Sequence, residues 1–157
     1  LFHVERGGPR APPKVLKSQA FFNPLDGDAM QGLHLIADLY HCDCDPAVLL
    51  DRNVLETRCV NFCKEAGLTP LGAYFYQFTH DDGEKAGVTG TVVLAESHVA
   101  IHTWPETNAV TLDVYVCNFS RDNSDRARAV YQHLIDLLQP GEMIEKDVMR
   151  GELPTSA

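Results

Sequence analysis

Three segments of this chain alternate apolar and polar side chains with a period of two, and that alternation limits the fold more than any other feature. In "GLHLIADLY", Leu33, Leu35, Ala37 and Leu39 fall on one side and His34, Ile36, Asp38 and Tyr40 on the other. "HVAIHTW" sets Val99, Ile101 and Thr103 against His98, Ala100, His102 and Trp104. "AVTLDVYVC" sets Val110, Leu112, Val114 and Val116 against Thr111, Asp113, Tyr115 and Cys117. Successive strand side chains point to opposite faces, so each segment reads as a strand with one core face and one face of polar and aromatic groups. "PLGAYFYQFT" and the β-branched "VTGTVVLA", joined through the polar "HDDGEKAG", predict a hairpin. "MIEKDVM" predicts a short edge strand.

Two stretches follow the helical period instead. Leu55, Cys59, Phe62, Cys63 and Ala66 share one helical stripe, after Asp45 and Pro46 as start signals and before Gly67 as a stop. Ser124 to Leu138 carries Ala127, Tyr131, Leu134, Ile135 and Leu138 on one face, with "PG" as its stop. The order of strand, helix, several strands, helix, strand, with hairpin-length links, predicts an α+β fold. Its form is a two-layer sandwich: a mainly antiparallel sheet with two helices packed on one face.

The chain has 157 residues, 45% of them hydrophobic, which fits one domain burying roughly 70% of its unfolded surface. Residues 1–20, rich in Pro, Gly and basic groups, read as a flexible extension, 21–150 as the folded domain and 151–157 as a flexible tail. The sequence opens on Leu1 rather than Met and shows no charged-then-apolar leader. Apolar stretches are interrupted by Asp38, Glu96 or Asp113 before the ~20 residues a membrane span needs, so a soluble protein is expected. A net charge of −9 without a Lys/Arg cluster argues against nucleic acid and suits a small cationic ligand. Five cysteines, an odd number, suggest reduced thiols in a cytoplasm rather than a disulfide framework.

Polar groups concentrate in "LAESHVAIHTWPE", where Glu96, Ser97, His98, His102 and Trp104 interrupt an apolar run. Ser97 and His102, with Cys117 on the adjoining strand, are expected to converge at one end of the sheet and to offer a nucleophile, a proton acceptor and a proton donor. A hydrolase is disfavoured by the lack of a G-x-S-x-G elbow. Zinc is a second reading, through His98 and His102 or through Cys42, Cys44, Cys59 and Cys63. Against it, Cys59 and Cys63 lie on the inner stripe of a helix, where free cysteine packs as a small apolar residue, and no metal is expected.

"AESHVAIHTWPE" followed by "LDVYVC" closely resembles the signature of the bacterial and archaeal S-adenosylmethionine decarboxylases, pyruvoyl-dependent enzymes of polyamine synthesis. The resemblance extends upstream through "GLHLIADLYHCD", "LGAYFYQF" and "TGTVVLAES" and downstream into the second helix, covering most of the folded domain. It implies a self-cleaving proenzyme. The Ser97 hydroxyl attacks the carbonyl of Glu96, and β-elimination cuts the chain and leaves a pyruvoyl group, the covalent cofactor, in place of Ser97. His102 matches the processing base and Thr89 a supporting hydroxyl, usually serine in the family. Cys117 matches the proton donor, a role suited to a thiol, which is mostly protonated at neutral pH. Phe78 matches an aromatic that binds adenine and Glu106 a carboxylate that binds ribose. The resemblance further implies Schiff-base decarboxylation of S-adenosylmethionine, a carboxy-lyase reaction that feeds spermidine synthesis, by a homodimer of cleaved protomers.

The chain departs from the family in reading "DVYVCN" for "DVFTCG" and "LYHC" for "LYGC", and in a longer hairpin loop. Two alternatives stay open at this stage. One is a pyruvoyl-dependent ornithine or arginine decarboxylase on the same scaffold; the other is a non-catalytic regulatory paralogue.

Overall fold

The period-two segments all become strands of one sheet. A computed structural model describes residues 14–17, 32–95, 97–118 and 122–151, with the side chains of 14–17 left aside. Its strands are β1 (Lys14–Lys17), β2 (Gly32–Tyr40), β3 (Pro70–Thr79), β4 (Lys85–Leu94), β5 (Ser97–Trp104), β6 (Ala109–Cys117) and β7 (Glu142–Arg150). The helices are α1 (Pro46–Leu50), α2 (Arg52–Glu65) and α3 (Ser124–Leu138), and a 3-10 turn spans Pro105–Thr107. Among the described residues the sheet runs β1-β7-β2-β6-β5-β4-β3, and every pair is antiparallel except β1 with β7. Helices pack on one face only, giving the expected α+β two-layer sandwich.

The alternation sorts side chains as the sequence requires. Leu33, Leu35, Ala37 and Leu39 of β2, Val99 and Ile101 of β5, and Val110, Leu112, Val114 and Val116 of β6 are buried beneath the helices. From α3 come Ala127, Val130, Leu134, Ile135 and Leu138. Thr103 is the polar intruder on this face, and its hydroxyl is fully used: it accepts from the Val88 N–H and donates to the Leu49 carbonyl, both at 2.8 Å. The bond ties β5 to β4 and to α1. Gly90 leaves room for the buried Phe75 ring, which an added Cβ would meet at 2.1 Å.

Three expectations need correction. The first helix is two helices. Asp51 is extended, with φ −121° and ψ 112°, and its carboxylate accepts from the Asn53 and Val54 N–H groups, so it caps α2 in mid-sequence while Asp45 caps α1. Gly67 does end the second, at φ 75°, with its N–H on the Lys64 carbonyl and the Leu68 N–H on that of Cys63. β7 is not an edge piece: nine residues pair with β2, from Gly32 with Arg150 to Tyr40 with Glu142. Its outer side then pairs in parallel with β1, so Lys14–Lys17 belong to the sheet rather than to a free extension. The rest of 1–20, and 152–157, lie outside the described residues.

No described helix is long and apolar enough to cross a membrane. The substitution Leu112→Ala, in a fully buried position, is expected to lower the unfolding free energy by about 3 kcal/mol. Urea denaturation followed by circular dichroism checks this.

Candidate active site

The sheet face without helices holds the polar halves of the alternating strands. Register sets these side chains in rows. His98 of β5 stands opposite Tyr115 of β6, and Tyr115 opposite His34 of β2. Four residues along β5, His102 stands between Thr89 of β4 and Thr111 of β6. Tyr74, Tyr76 and Phe78 of β3, Val93 of β4, Trp104 of β5 and Tyr40 of β2 are all exposed on this face. Among the described residues no helix packs on this face, which leaves these apolar side chains exposed.

Ser97 opens β5 where the β4–β5 hairpin returns, with Leu94 as its partner. Its Oγ accepts from the Cys117 N–H at 3.0 Å. The structure therefore brings two of the expected site residues together, at the strand end shared by β5 and β6. Glu96 lies outside the described residues. Cys117 is held in turn by its carbonyl, which accepts from Asn123 Nδ2 at 3.1 Å, while Asn118 accepts from the Asn123 N–H and donates to Ser124 Oγ. Asn118 thereby stitches the end of β6 to the start of α3.

His102 does not join Ser97 within the protomer. Five residues of strand span roughly 16 Å, and an odd spacing sends the two side chains to opposite faces. The expected convergence at one end fails for this residue because of the period of two. His102 Nδ1 instead lies 2.6 Å from Thr89 Oγ1, which leaves Nε2 as the nitrogen open to proton transfer. The same end of the sheet carries the other expected binding groups. Glu106 sits exposed in the 3-10 turn directly after Trp104, and Phe78 is exposed on β3, 5.0 Å from the Tyr76 ring.

Several groups escaped the sequence reading. Gln77 Oε1 accepts from the Arg52 N–H, and its Nε2 donates to the carbonyls of Phe78, Ala86 and Gly87. It thus clamps the Phe78 segment to the start of α2. His34 Nε2 lies 2.9 Å from Asp113 Oδ1. Burial holds the His98 imidazole below the usual histidine range; nearby His34 and Arg150 act in the same sense, and Asp113 opposes them. Sequence signals existed only for the histidines, as imidazoles on the polar side of strands; a bulge-clamping glutamine has none. His41 takes φ 55°, a left-handed conformation that glycine adopts freely.

All five cysteines are free thiols, and core packing accounts for Cys42, Cys59 and Cys63, which are buried. Burial pushes Cys63 up to about 11 and Cys42 up to about 12, and raises Cys59 as well. Such thiols stay protonated at neutral pH and pack as small apolar side chains. Among the described residues no three His, Cys, Asp or Glu side chains gather as a metal site.

A two-layer α+β sheet protein with a serine and a cysteine at one strand end, and a histidine pair of functional rows on its open face, is the class that fold and site define. The family described as S-adenosylmethionine decarboxylase matches residues 33–151. The S-adenosylmethionine decarboxylase proenzyme of Picrophilus torridus is 36% identical over 120 residues, covering 76% of this chain and 84% of that protein. That of Aquifex aeolicus is 41% identical over 119 residues, covering 74% and 78%. The crystal structure of the adenosylmethionine decarboxylase from Aquifex aeolicus superposes with a TM-score of 0.69 at 30% identity, over 82% of this chain and 98% of that one. The chain belongs to the S-adenosylmethionine decarboxylase family, a family of carboxy-lyases.

In native protein at pH 8, iodoacetamide is expected to leave Cys42, Cys59 and Cys63 unmodified and to alkylate them after unfolding in guanidinium. Peptide mass spectrometry reads the outcome; native-state labelling of Cys59 would contradict the packing described.

Proposed function

We propose that this chain is a proenzyme that cuts itself between Glu96 and Ser97 and then decarboxylates S-adenosylmethionine, supplying aminopropyl groups for polyamine synthesis in the cytoplasm. The observation that carries the reading is the Ser97 hydroxyl placed at a strand end against the Cys117 backbone, in a chain of this family. Ser97 Oγ attacks the Glu96 carbonyl carbon, and the acyl group moves from nitrogen to oxygen. Removal of the Ser97 α-proton then expels the Glu96 carboxylate and breaks the chain, and the dehydroalanine left at position 97 tautomerises to an imine that water hydrolyses to the pyruvoyl carbonyl, releasing ammonia. The residues present fit a pyruvoyl group at position 97: the hydroxyl it derives from is half-buried and anchored, and a thiol residue is its neighbour. Such a group supplies a carbonyl that accepts the electron pair left when carbon dioxide departs. Cys117 then returns a proton to the substrate α-carbon.

His102 is the base for the processing step, and the separation within one protomer gives that role a quaternary consequence. A two-fold dimer formed by the open sheet faces sets the Ser97 end of one subunit against the His102 end of the other; the Ser97 hydroxyl turns towards the helical side, and the α-proton that the base removes points away from it, towards the partner. Each site then draws Ser97 and Cys117 from one protomer and His102, Thr89, Phe78 and Glu106 from its partner. The exposed aromatics of β3 and β5 supply the apolar contact area such an interface requires. Phe78 offers a stacking surface for adenine and Glu106 a carboxylate for ribose hydroxyls. The net charge of −9 favours a substrate carrying a sulfonium and an α-ammonium.

Purified protein is expected to give two chains by intact mass, split after Glu96, with a blocked end on the second, and to release labelled carbon dioxide from S-adenosylmethionine. Ser97→Ala should abolish the cut; Cys117→Ala should leave the cut and reduce turnover by two orders of magnitude or more, within the usual range for a general acid. Release from ornithine or arginine alone, or an uncut chain after prolonged incubation, would overturn the reading.

A further inference from the structure

Next to the Ser97–Cys117 end lies a group of ionisable side chains with no part in the chemistry above. Asp113, His34, Tyr115, His98 and Arg150 come from β6, β2, β5 and β7 and share the open face. The Arg150 guanidinium carbon stands 4.9 Å from the Tyr115 ring centre, and its Nη1 is 3.5 Å from His34 Nδ1. The His34 and Tyr115 rings each lie edge-on or tilted to His98, at 6.0 Å and 5.6 Å between centres.

The two ring nitrogens of His34 face groups of opposite charge: Nε2 lies 2.9 Å from Asp113 Oδ1, and Nδ1 faces the Arg150 guanidinium, which only donates. The imidazole thus links a carboxylate to a guanidinium. The group ends at His98, whose backbone nitrogen is joined to the residue that yields the reactive carbonyl.

We infer that Arg150, at the far end of β7, is a positioning residue for His98: it holds the His34–Asp113 pair and the Tyr115 ring against which the His98 imidazole packs. This rests on the reading that Ser97 becomes the carbonyl group. The charged and titratable groups facing His98 are His34 from β2, Asp113 and Tyr115 from β6, and Arg150 from β7; Val93 of β4 and Ala100 of β5 are its apolar neighbours. An imidazolium at this place would repel a substrate whose reacting end carries an ammonium. A neutral ring, held edge-on to His34 and tilted against Tyr115, orients the carbonyl and adds no like charge. The cation of Arg150 opposes protonation of His98, so removing it makes His98 easier to protonate: neutral His98 is then lost at a higher pH as the solution is acidified.

The test uses full-length protein with ring-labelled histidine, the His98 resonance being identified by its loss in His98→Gln. In Arg150→Gln the His98 midpoint is expected to move up by on the order of half a pH unit, the scale for one partly solvated charge. The acid limb of kcat should move with it, giving roughly twofold to threefold lower kcat near that midpoint at little change in KM. Arg150→Lys should restore both. His34→Gln, which leaves Arg150 in place, should move the midpoint in the same direction and guards against a folding defect in the first variant. Unmoved midpoints in Arg150→Gln and His34→Gln would overturn the inference while leaving decarboxylation intact. If the native chain neither cuts itself nor decarboxylates, the functional reading fails on its own, and the His98 midpoint still decides the positioning role in the uncut chain. Resolved histidine signals also separate His98 from the partner's His102.

Discussion

Along β5 the odd positions enter the core and the even ones face away from the helices, and the placement of every functional group follows from that period. Thr103 anchors the pattern, because its buried hydroxyl reaches both Val88 and Leu49 and a slip of one residue would leave both bonds unmade. With β5 so fixed, Ser97 meets the end of β6 and His102 meets Thr89. Among the described residues of the single chain, nothing returns His102 to Ser97.

In the dimer we propose, the open face resolves this arrangement: Tyr74, Tyr76, Phe78, Val93 and Trp104 are exposed in the single chain, and two copies of the face would bury them, so that packing energy and assembly of the site would come from one contact. The helices serve the opposite face, and strand register alone aligns His98, Tyr115 and His34 in a row. β7 continues the sheet beyond β2 and brings Arg150 to the end where Ser97 lies.

Much of this was legible in the sequence. Alternation in "GLHLIADLY", "HVAIHTW" and "AVTLDVYVC" placed the strands and their inner faces, and Ser124 to Leu138 matches α3 to the residue. The break at Asp51 was not legible, because an aspartate reads equally as a helix surface residue and as a cap until the backbone turns extended at it. β7 was undervalued because "EKD" masks its pairing: those side chains sit at the edge of the helical layer or in solvent, while the backbone bonds that hold the strand carry no sequence signature. The identities of Ser97, His102 and Cys117 stood out as polar groups in an apolar run. Their spatial relation did not, although the spacing of five contained it, since strand parity alone separates Ser97 from His102. Glu96 lies outside the described residues, and its part rests on the chemistry of the bond it shares with Ser97.

The central claim is that each site is assembled from two subunits. Co-expression of Ser97→Ala and His102→Ala chains, carrying different tags, tests it directly. Mixed dimers then hold one composite site with an intact Ser97 facing an intact His102. Intact mass is expected to show the His102→Ala chain cut and the Ser97→Ala chain whole, while each variant alone stays uncut or is cut far more slowly than the native chain. If mixed dimers form and neither chain is cut, although the native protein cuts itself, His102 does not act across the interface and the account is contradicted.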